Sequence, residues 1–203
     1  MFITFEGGEG TGKSTQAKLL HDFFVEDGFD VVLTREPGGT PLAEEIRKVL
    51  LTGEPGKMDA MTEALMYLTA RADHWARKIK PALDAGKIVI CDRFHDSSLV
   101  YQGICKGVDI GLLNVIYNGI THGQVPDRTY LIDLASEIGI TRSLSRENSE
   151  TRFEKMNLEF HEKVRNAFLE LAHQYPDRYL ILDGTLSVRE IQKKIEEDAR
   201  KFV

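Results

Sequence analysis

The segment Gly7-Gly8-Glu9-Gly10-Thr11-Gly12-Lys13-Ser14 follows the pattern G-x-x-x-x-G-K-[ST]. Its chemistry is phosphate binding. Glycines let the backbone turn tightly and bring its N–H groups close to phosphate oxygens. A helix beginning at Thr15 would direct its positive N-terminal end at the same anion. Lys13 can reach the β- and γ-phosphates of a nucleoside triphosphate, and the Ser14 hydroxyl can ligate Mg²⁺. The fixed positions of the pattern match by accident in about one chain in a hundred of this length. The alternative, a chance glycine-rich turn, would also have to fall between a strand and a helix.

A second group lies at the end of the apolar run Ile88-Val89-Ile90-Cys91-Asp92-Arg93. A carboxylate at the C-terminal end of a strand is where the second Mg²⁺-linked group of a phosphate-loop site belongs, which fits Asp92. The alternative for Asp92 is an ordinary helix N-cap. Arg93 suits an acceptor phosphate, because a guanidinium fork matches phosphate oxygens bidentately; a structural ion pair is the other reading. No Asn-Lys-x-Asp sequence is present, which counts against a guanine-nucleotide switch. The strand ends Cys-Asp-Arg and not Asp-Glu, which counts against an ATPase motor. Glu9 places a carboxylate beside the phosphates, where it raises local repulsion and needs a compensating cation.

Elements of the right kind surround these groups. Apolar, β-rich stretches recur at Phe2–Phe5, Val31–Leu33, Ile88–Cys91, Tyr130–Leu134 and Tyr179–Leu182. Helical periodicity predicts helices over Thr15–Val25, Leu42–Leu50, Met61–Leu83 (with a break near Lys80-Pro81), Leu112–Ile120, Phe153–Gln174 and Val188–Phe202. Strands alternating with helices predict a three-layer α/β fold, a five-stranded parallel sheet flanked by helices, in a single domain over 1–203. Ser136–Glu150 is polar, dense in Ser, Glu and Arg, and shows no core face. It reads either as a solvated surface segment or as a lid, over about residues 136–152.

Composition bounds the partners. The chain carries 26 basic against 32 acidic side chains, a net charge of −6, so it has no general attraction for nucleic acid or an anionic membrane. Any phosphate site must outweigh that field locally. Two cysteines, Cys91 and Cys105, have no metal-type spacing and fit a reduced, cytoplasmic setting. The amino terminus lacks a basic leader, and no apolar run is long enough to span a membrane.

Taken together, the motifs resemble those of the thymidylate kinases. The matching stretches are Phe5-Glu6-Gly7 through Ser14, Thr34-Arg35-Glu36-Pro37-Gly38-Gly39-Thr40, Leu65–His74 around Arg71, Asp92-Arg93-Phe94, and Ser97-Ser98-Leu99-Val100-Tyr101-Gln102-Gly103. Their order and spacing extend over nearly the whole chain. The resemblance implies transfer of the γ-phosphoryl group of ATP to thymidine 5′-monophosphate with Mg²⁺. A kinase for another pyrimidine nucleotide, or a non-catalytic nucleotide-binding switch, is the alternative.

The same resemblance implies roles. Gly7, Gly8, Glu9, Gly10, Thr11, Gly12, Lys13, Ser14 and Thr15 would bind ATP, with Arg142 near the adenine. Arg35 and Arg93 would hold the acceptor phosphate, and Glu9 would position Arg35 or a metal-bound water. Tyr67 would stack on the thymine ring, Arg71 would hydrogen-bond a base carbonyl, and Ser98 would sit near the base. A core aromatic and a helix-surface arginine are the plainer readings of Tyr67 and Arg71. Tyr101 would pack below the sugar, leaving no room for a 2′-hydroxyl, and Gln102 would complete the pocket. The family subgroup with an acid in the phosphate loop takes its catalytic arginine from the lid; Arg146 matches that position first and Arg152 second. A homodimer is implied, for which an apolar helix face near Met61–Leu68 could serve.

Overall fold

A computed structural model of the chain describes residues 1–145 and 152–203. Five strands form one parallel sheet: β1 (Phe2–Glu6), β2 (Val31–Arg35), β3 (Ile88–Asp92), β4 (Arg128–Asp133) and β5 (Tyr179–Asp183), in the order β2-β3-β1-β4-β5. This bears out the predicted sheet, with strand ends shifted by one or two residues. Register puts Arg35 beside Asp92 and Phe5 beside Asp92 across the two neighbouring pairs. The chemistry-bearing strand ends therefore meet at one edge of the sheet.

Side chains alternate across the sheet, and both faces are covered. Ile3, Phe5, Ile90, Tyr130, Ile132 and Leu182 point to one side. There they meet Ala17, Leu20 and Phe24 of α1 (Lys13–Glu26) and Ile191 and Ile195 of α9 (Val188–Ala199). On the other side Phe2, Val89 and Cys91 pack with Trp75, Phe94 and Tyr117. Leu131 joins Val164, Phe168 and Leu171 of α8 (Leu158–Gln174) there. Among the described residues no helix is long and apolar enough to cross a membrane.

Two elements differ from the sequence reading and a third adds to it. The break expected near Pro81 does not occur. Instead α3 (Ala60–His74) passes through a π turn, Trp75–Ile79, into α4 (Lys80–Asp84). Widening the turn moves the carbonyls that a proline ring would strike, so the chain goes on helically past Pro81. The helix expected from Phe153 starts at Leu158, because the Asn157 side chain accepts the Phe160 N–H at 2.9 Å and caps it there. The Ser97–Gly103 stretch is helical: α5 (His95–Ser98) runs into a second π turn, Leu99–Cys105. Two further helices, α2 (Pro41–Leu51) and α6 (Ile110–Thr121), pack with α3.

Leu20 is fully enclosed between α1 and the sheet. Leu20→Ala should lower the unfolding free energy by about 2–5 kcal/mol, read from urea denaturation.

Candidate active site

The loop between β1 and α1 forms one wall of a cleft at the C-terminal end of the sheet. Lys13 is buried and folds back on the loop, donating to the Gly8 carbonyl at 2.5 Å. Burial, and then the Arg93 charge, bring its ammonium down to about 8. The Ser14 hydroxyl donates to the Asp92 carboxylate, so the two oxygen donors predicted for a metal lie in contact across the mouth of β3. Among the described residues no group of three or more His, Cys, Asp or Glu side chains could hold a metal unaided. Two hard oxygen donors in an open cleft suit an ion whose shell is completed by water and substrate phosphates, as Mg²⁺ requires.

Arg93 is the centre of the site. Its φ of 66° lies in the left-handed region, unusual for a residue with a side chain. The turn is held because the Arg93 N–H donates to Phe5 O at 2.9 Å and the Phe94 N–H donates to Glu6 Oε1 at 2.8 Å. This conformation sends the guanidinium toward the phosphate loop. There it donates to Gly7 O at 2.9 Å, Ser97 Oγ at 3.2 Å and Glu9 Oε1 at 2.8 Å. Tyr101 donates its hydroxyl to the same Glu9 oxygen at 3.0 Å, and its ring lies 5.2 Å from the Arg93 guanidinium carbon. Burial alone would raise the Glu9 carboxyl, but Arg93 and then Lys13 bring it down to about 2. The cation that Glu9 needs is therefore Arg93. The expectation that Glu9 positions Arg35 is not met: Arg35 turns to Glu44, at 3.1 Å, because both sit on the exposed rim of β2 and α2.

Beyond Arg93 the cleft changes character. Tyr67, Arg71, Ser98, Tyr101 and Gln102 all line it, as do Arg35 and Asp92 at the strand ends. Burial raises the Tyr67 and Tyr101 hydroxyls above their ordinary range, so both rings are neutral. Arg71 is not the surface arginine of the plainer reading; it is almost fully enclosed, donating to Ser98 Oγ and Phe94 O, each at 3.0 Å. Gln102 lines the cleft while its amide donates to Glu63 at 2.8 Å.

The lid residues divide. Residues 136–144 form a helix, α7 (Ser136–Leu144), which rests on the phosphate loop. A Cβ on Gly10 would stand 1.9 Å from Gly139 O, and one on Gly139 would stand 2.3 Å from Glu9 O, so glycine on both sides permits the contact. Arg142 is exposed on the last turn of α7 and does not line the cleft. Arg146 lies outside the described residues. Arg152, the second choice for the phosphates, is placed elsewhere. It is buried against Glu63 and donates to Leu50 O at 2.9 Å, since the enclosed Glu63 carboxylate draws in both Lys106 and Arg152.

Sequence reasoning passed over several groups here. Glu6, Ser97, Glu36 and Glu154 all bear on the cleft or its walls, and Glu36 lies inside the Arg-Glu-Pro-Gly-Gly stretch. The only available signal was a carboxylate in an otherwise apolar setting, as at Phe5-Glu6-Gly7.

A protein that only bound or hydrolysed a triphosphate would have no use for an aromatic compartment on the far side of Arg93. The chain is an enzyme of the nucleoside monophosphate kinase class, built on the phosphate-loop sheet order. The family model described as thymidylate kinase matches residues 5–195, and the chain belongs to that family. It is 46% identical to the thymidylate kinase of Ruegeria pomeroyi over 97% of this chain and 93% of that protein. It is 47% identical to that of Symbiobacterium thermophilum, over 96% and 90%. The crystal structure of thymidylate kinase from Ehrlichia chaffeensis superposes with a TM-score of 0.79, at 32% identity over 98% of both chains.

Glu6 supplies a test of the turn beneath Arg93. It is fully buried and accepts from Ser97 Oγ at 2.6 Å as well as from Phe94. Burial, and then the Asp96 charge, push its carboxyl up from 4.5 to about 7. A carboxyl raised in the folded state keeps its proton where the unfolded chain has lost it. Its contribution to stability is complete below the unfolded pKa and disappears as pH rises through the folded one. In Glu6→Gln that dependence should vanish: the unfolding free energy should fall less steeply between pH 4.5 and about 7 than in wild type, by up to about 1.4 kcal/mol per pH unit. Urea titrations at stepped pH measure this; parallel curves would assign the slope to other groups.

Proposed function

We propose that the chain transfers the γ-phosphoryl group of ATP to thymidine 5′-monophosphate, giving dTDP and ADP for dTTP synthesis. The carrying observation is Arg93. One guanidinium touches the phosphate loop through Gly7 and Glu9 and the aromatic half of the cleft through Tyr101, which is where a shared phosphoryl group must pass. Membership of the thymidylate kinase family supports the substrate pair.

The residues act by alignment and by neutralising charge, since phosphoryl transfer runs through a loose, highly charged transition state. Residues Gly7 to Thr15 and Lys13 above all hold the ATP phosphates; Arg93 and Arg35 hold the acceptor phosphate. That phosphate is already anionic at neutral pH, so no general base is needed. Tyr67 stacks on thymine, Arg71 donates to a base carbonyl with Ser98 beside it, and Tyr101 and Gln102 close the sugar side. Ser14 and Asp92 would hold Mg²⁺, which supplies charge neutralisation at the triphosphate. Arg146 is the lid arginine for the transition state, and Arg142 serves the adenine side. Lid closure would exclude water, the competing acceptor.

Two features bear on assembly and setting. Met61 and Leu65 of α3 and Leu112 and Val115 of α6 are exposed apolar side chains on helices that pack together, which suits a homodimer. Both cysteines are free thiols, which suits a cytoplasmic location.

A panel of thymidine, uridine, cytidine and guanosine monophosphates in deoxy and ribo forms, assayed with ATP, tests the reading; preference for another pyrimidine would move the enzyme to a different acceptor. Lys13→Ala should keep the fold and lower kcat by about 100-fold or more. Near-normal kcat at saturating ATP would remove Lys13 from the cradle. Arg146→Ala should depress kcat by at least about 100-fold with monophosphate affinity nearly unchanged, since its contact forms on closure. Single-turnover rates for Arg142, Arg146 and Arg152 alanine variants rank the three.

A further inference from the structure

Two fully enclosed side chains beside the cleft have no part in the mechanism above. Glu36 follows β2, and His74 ends α3; their exposures are 5% and 0%. Glu36 is bonded to both Arg71 and His74. Glu36 Oε2 accepts from Arg71 Nε at 2.7 Å, and Glu36 Oε1 accepts from His74 Nδ1 at 3.1 Å. The other ring nitrogen, Nε2, is hydrogen-bonded to the Thr34 hydroxyl, 2.7 Å away. Arg71 and His74 stand three residues apart on α3 and share a face. The connection Thr34–His74–Glu36–Arg71 therefore ties the end of β2 to α3.

The arrangement leaves Arg71 no freedom. Its Nε is held by Glu36, Nη1 by Ser98 and Nη2 by Phe94 O. Burial alone would push the Glu36 carboxyl up, but the Arg71 charge and then His74 take it below its ordinary range, so the pair is ionised. Backbone closes over the other end of the relay. A Cβ at Gly39 would lie 2.4 Å from His74 Nε2 and 2.6 Å from Thr34 Oγ1, so the chain has room there only for glycine.

Such a buried pair is weak as a source of stability but strong as a fixture, because one partner without the other is an uncompensated buried charge. A guanidinium only donates hydrogen bonds, so its aim decides whether the site takes a base carbonyl or an amino group at the same place. We propose that Glu36, held by His74 and Thr34, is a positioning residue that aims Arg71 and so sets discrimination between acceptor bases bearing a carbonyl and those bearing an amino group. This rests on the reading of Arg71 as the base contact.

Glu36→Gln keeps one acceptor for Arg71 and removes the charge that orients it. Its KM for dTMP should rise about 10-fold or more, the kcat/KM ratio of dTMP over dCMP should fall about 10–100-fold, and kcat should change less than KM. ATP affinity without acceptor should stay at the wild-type value, which a general loss of fold would not allow. Thr34→Val, which removes only the hydroxyl on His74, should shift the same ratio in the same direction by less. Wild-type KM and discrimination in Glu36→Gln would overturn the proposal. Should that variant fail to fold, an unchanged ratio in Thr34→Val would do so. Arg71→Ala is the control: if it too leaves discrimination intact, the assignment of Arg71 to the base fails; if it alone destroys discrimination, only the role of Glu36 fails.

Discussion

Arg93 and the backbone turn that carries it hold the two halves of this site together. A net-negative chain has to gather positive charge where phosphates meet, and the sheet offers one place for it, the C-terminal end of β3 beside β1. The left-handed φ at Arg93 is a strained choice, and its neighbours over-determine it: β1 supplies Phe5 O to the Arg93 N–H and the Glu6 carboxyl to the Phe94 N–H. Once the turn is set, the guanidinium falls on Gly7 and Glu9, and Tyr101 is drawn to the same carboxylate. The phosphate loop and the aromatic half of the cleft are thus spaced by one side chain whose own position comes from β1.

Buried carboxylates recur as the fixtures of the cleft wall. Glu6 ties β1 to the turn after β3; Glu36 ties β2 to α3; Glu63 joins α3 to Gln102, Lys106 and Arg152. Each accepts from two or three donors in a low-dielectric setting; Arg71 answers the charge of Glu36, and Lys106 and Arg152 that of Glu63, whereas Glu6 meets only neutral donors. Apolar packing could stabilise these places as well, but a carboxylate fixes direction as well as distance. For a site that must present arginines at set angles, direction is the scarcer property.

Contact between α7 and the phosphate loop adds a constraint of another kind. Helix and loop come close at Gly10 and Gly139, neither of which carries a side chain. Helix α7 thus touches the backbone of Glu9, the residue that holds Arg93. Arg152 fixes the chain ahead of α8 to the C-terminus of α2 and to Glu63.

All five strands were legible in the sequence because each is a short apolar run, and the phosphate loop because its spacing is local and its chemistry needs contiguous residues. The family motifs named Arg71, Tyr101 and Arg93 as site residues, and the fold brings all three to one cleft. What the sequence could not supply is which charges face one another. Glu9 meets Arg93 across 84 positions, Glu36 meets Arg71 across 35, and Glu63 meets Arg152 across 89. For the same reason the sequence offers Arg152 as a second candidate for the phosphates and nothing in it assigns Glu36 a role. The π turns at Trp75–Ile79 and Leu99–Cys105 were equally invisible, since neither has a periodicity of its own in the sequence. Local pattern determined the elements and the phosphate cradle; the pairing of buried charges, a long-range condition met only when β1, β2, β3 and α3 are assembled, decided where the arginines point.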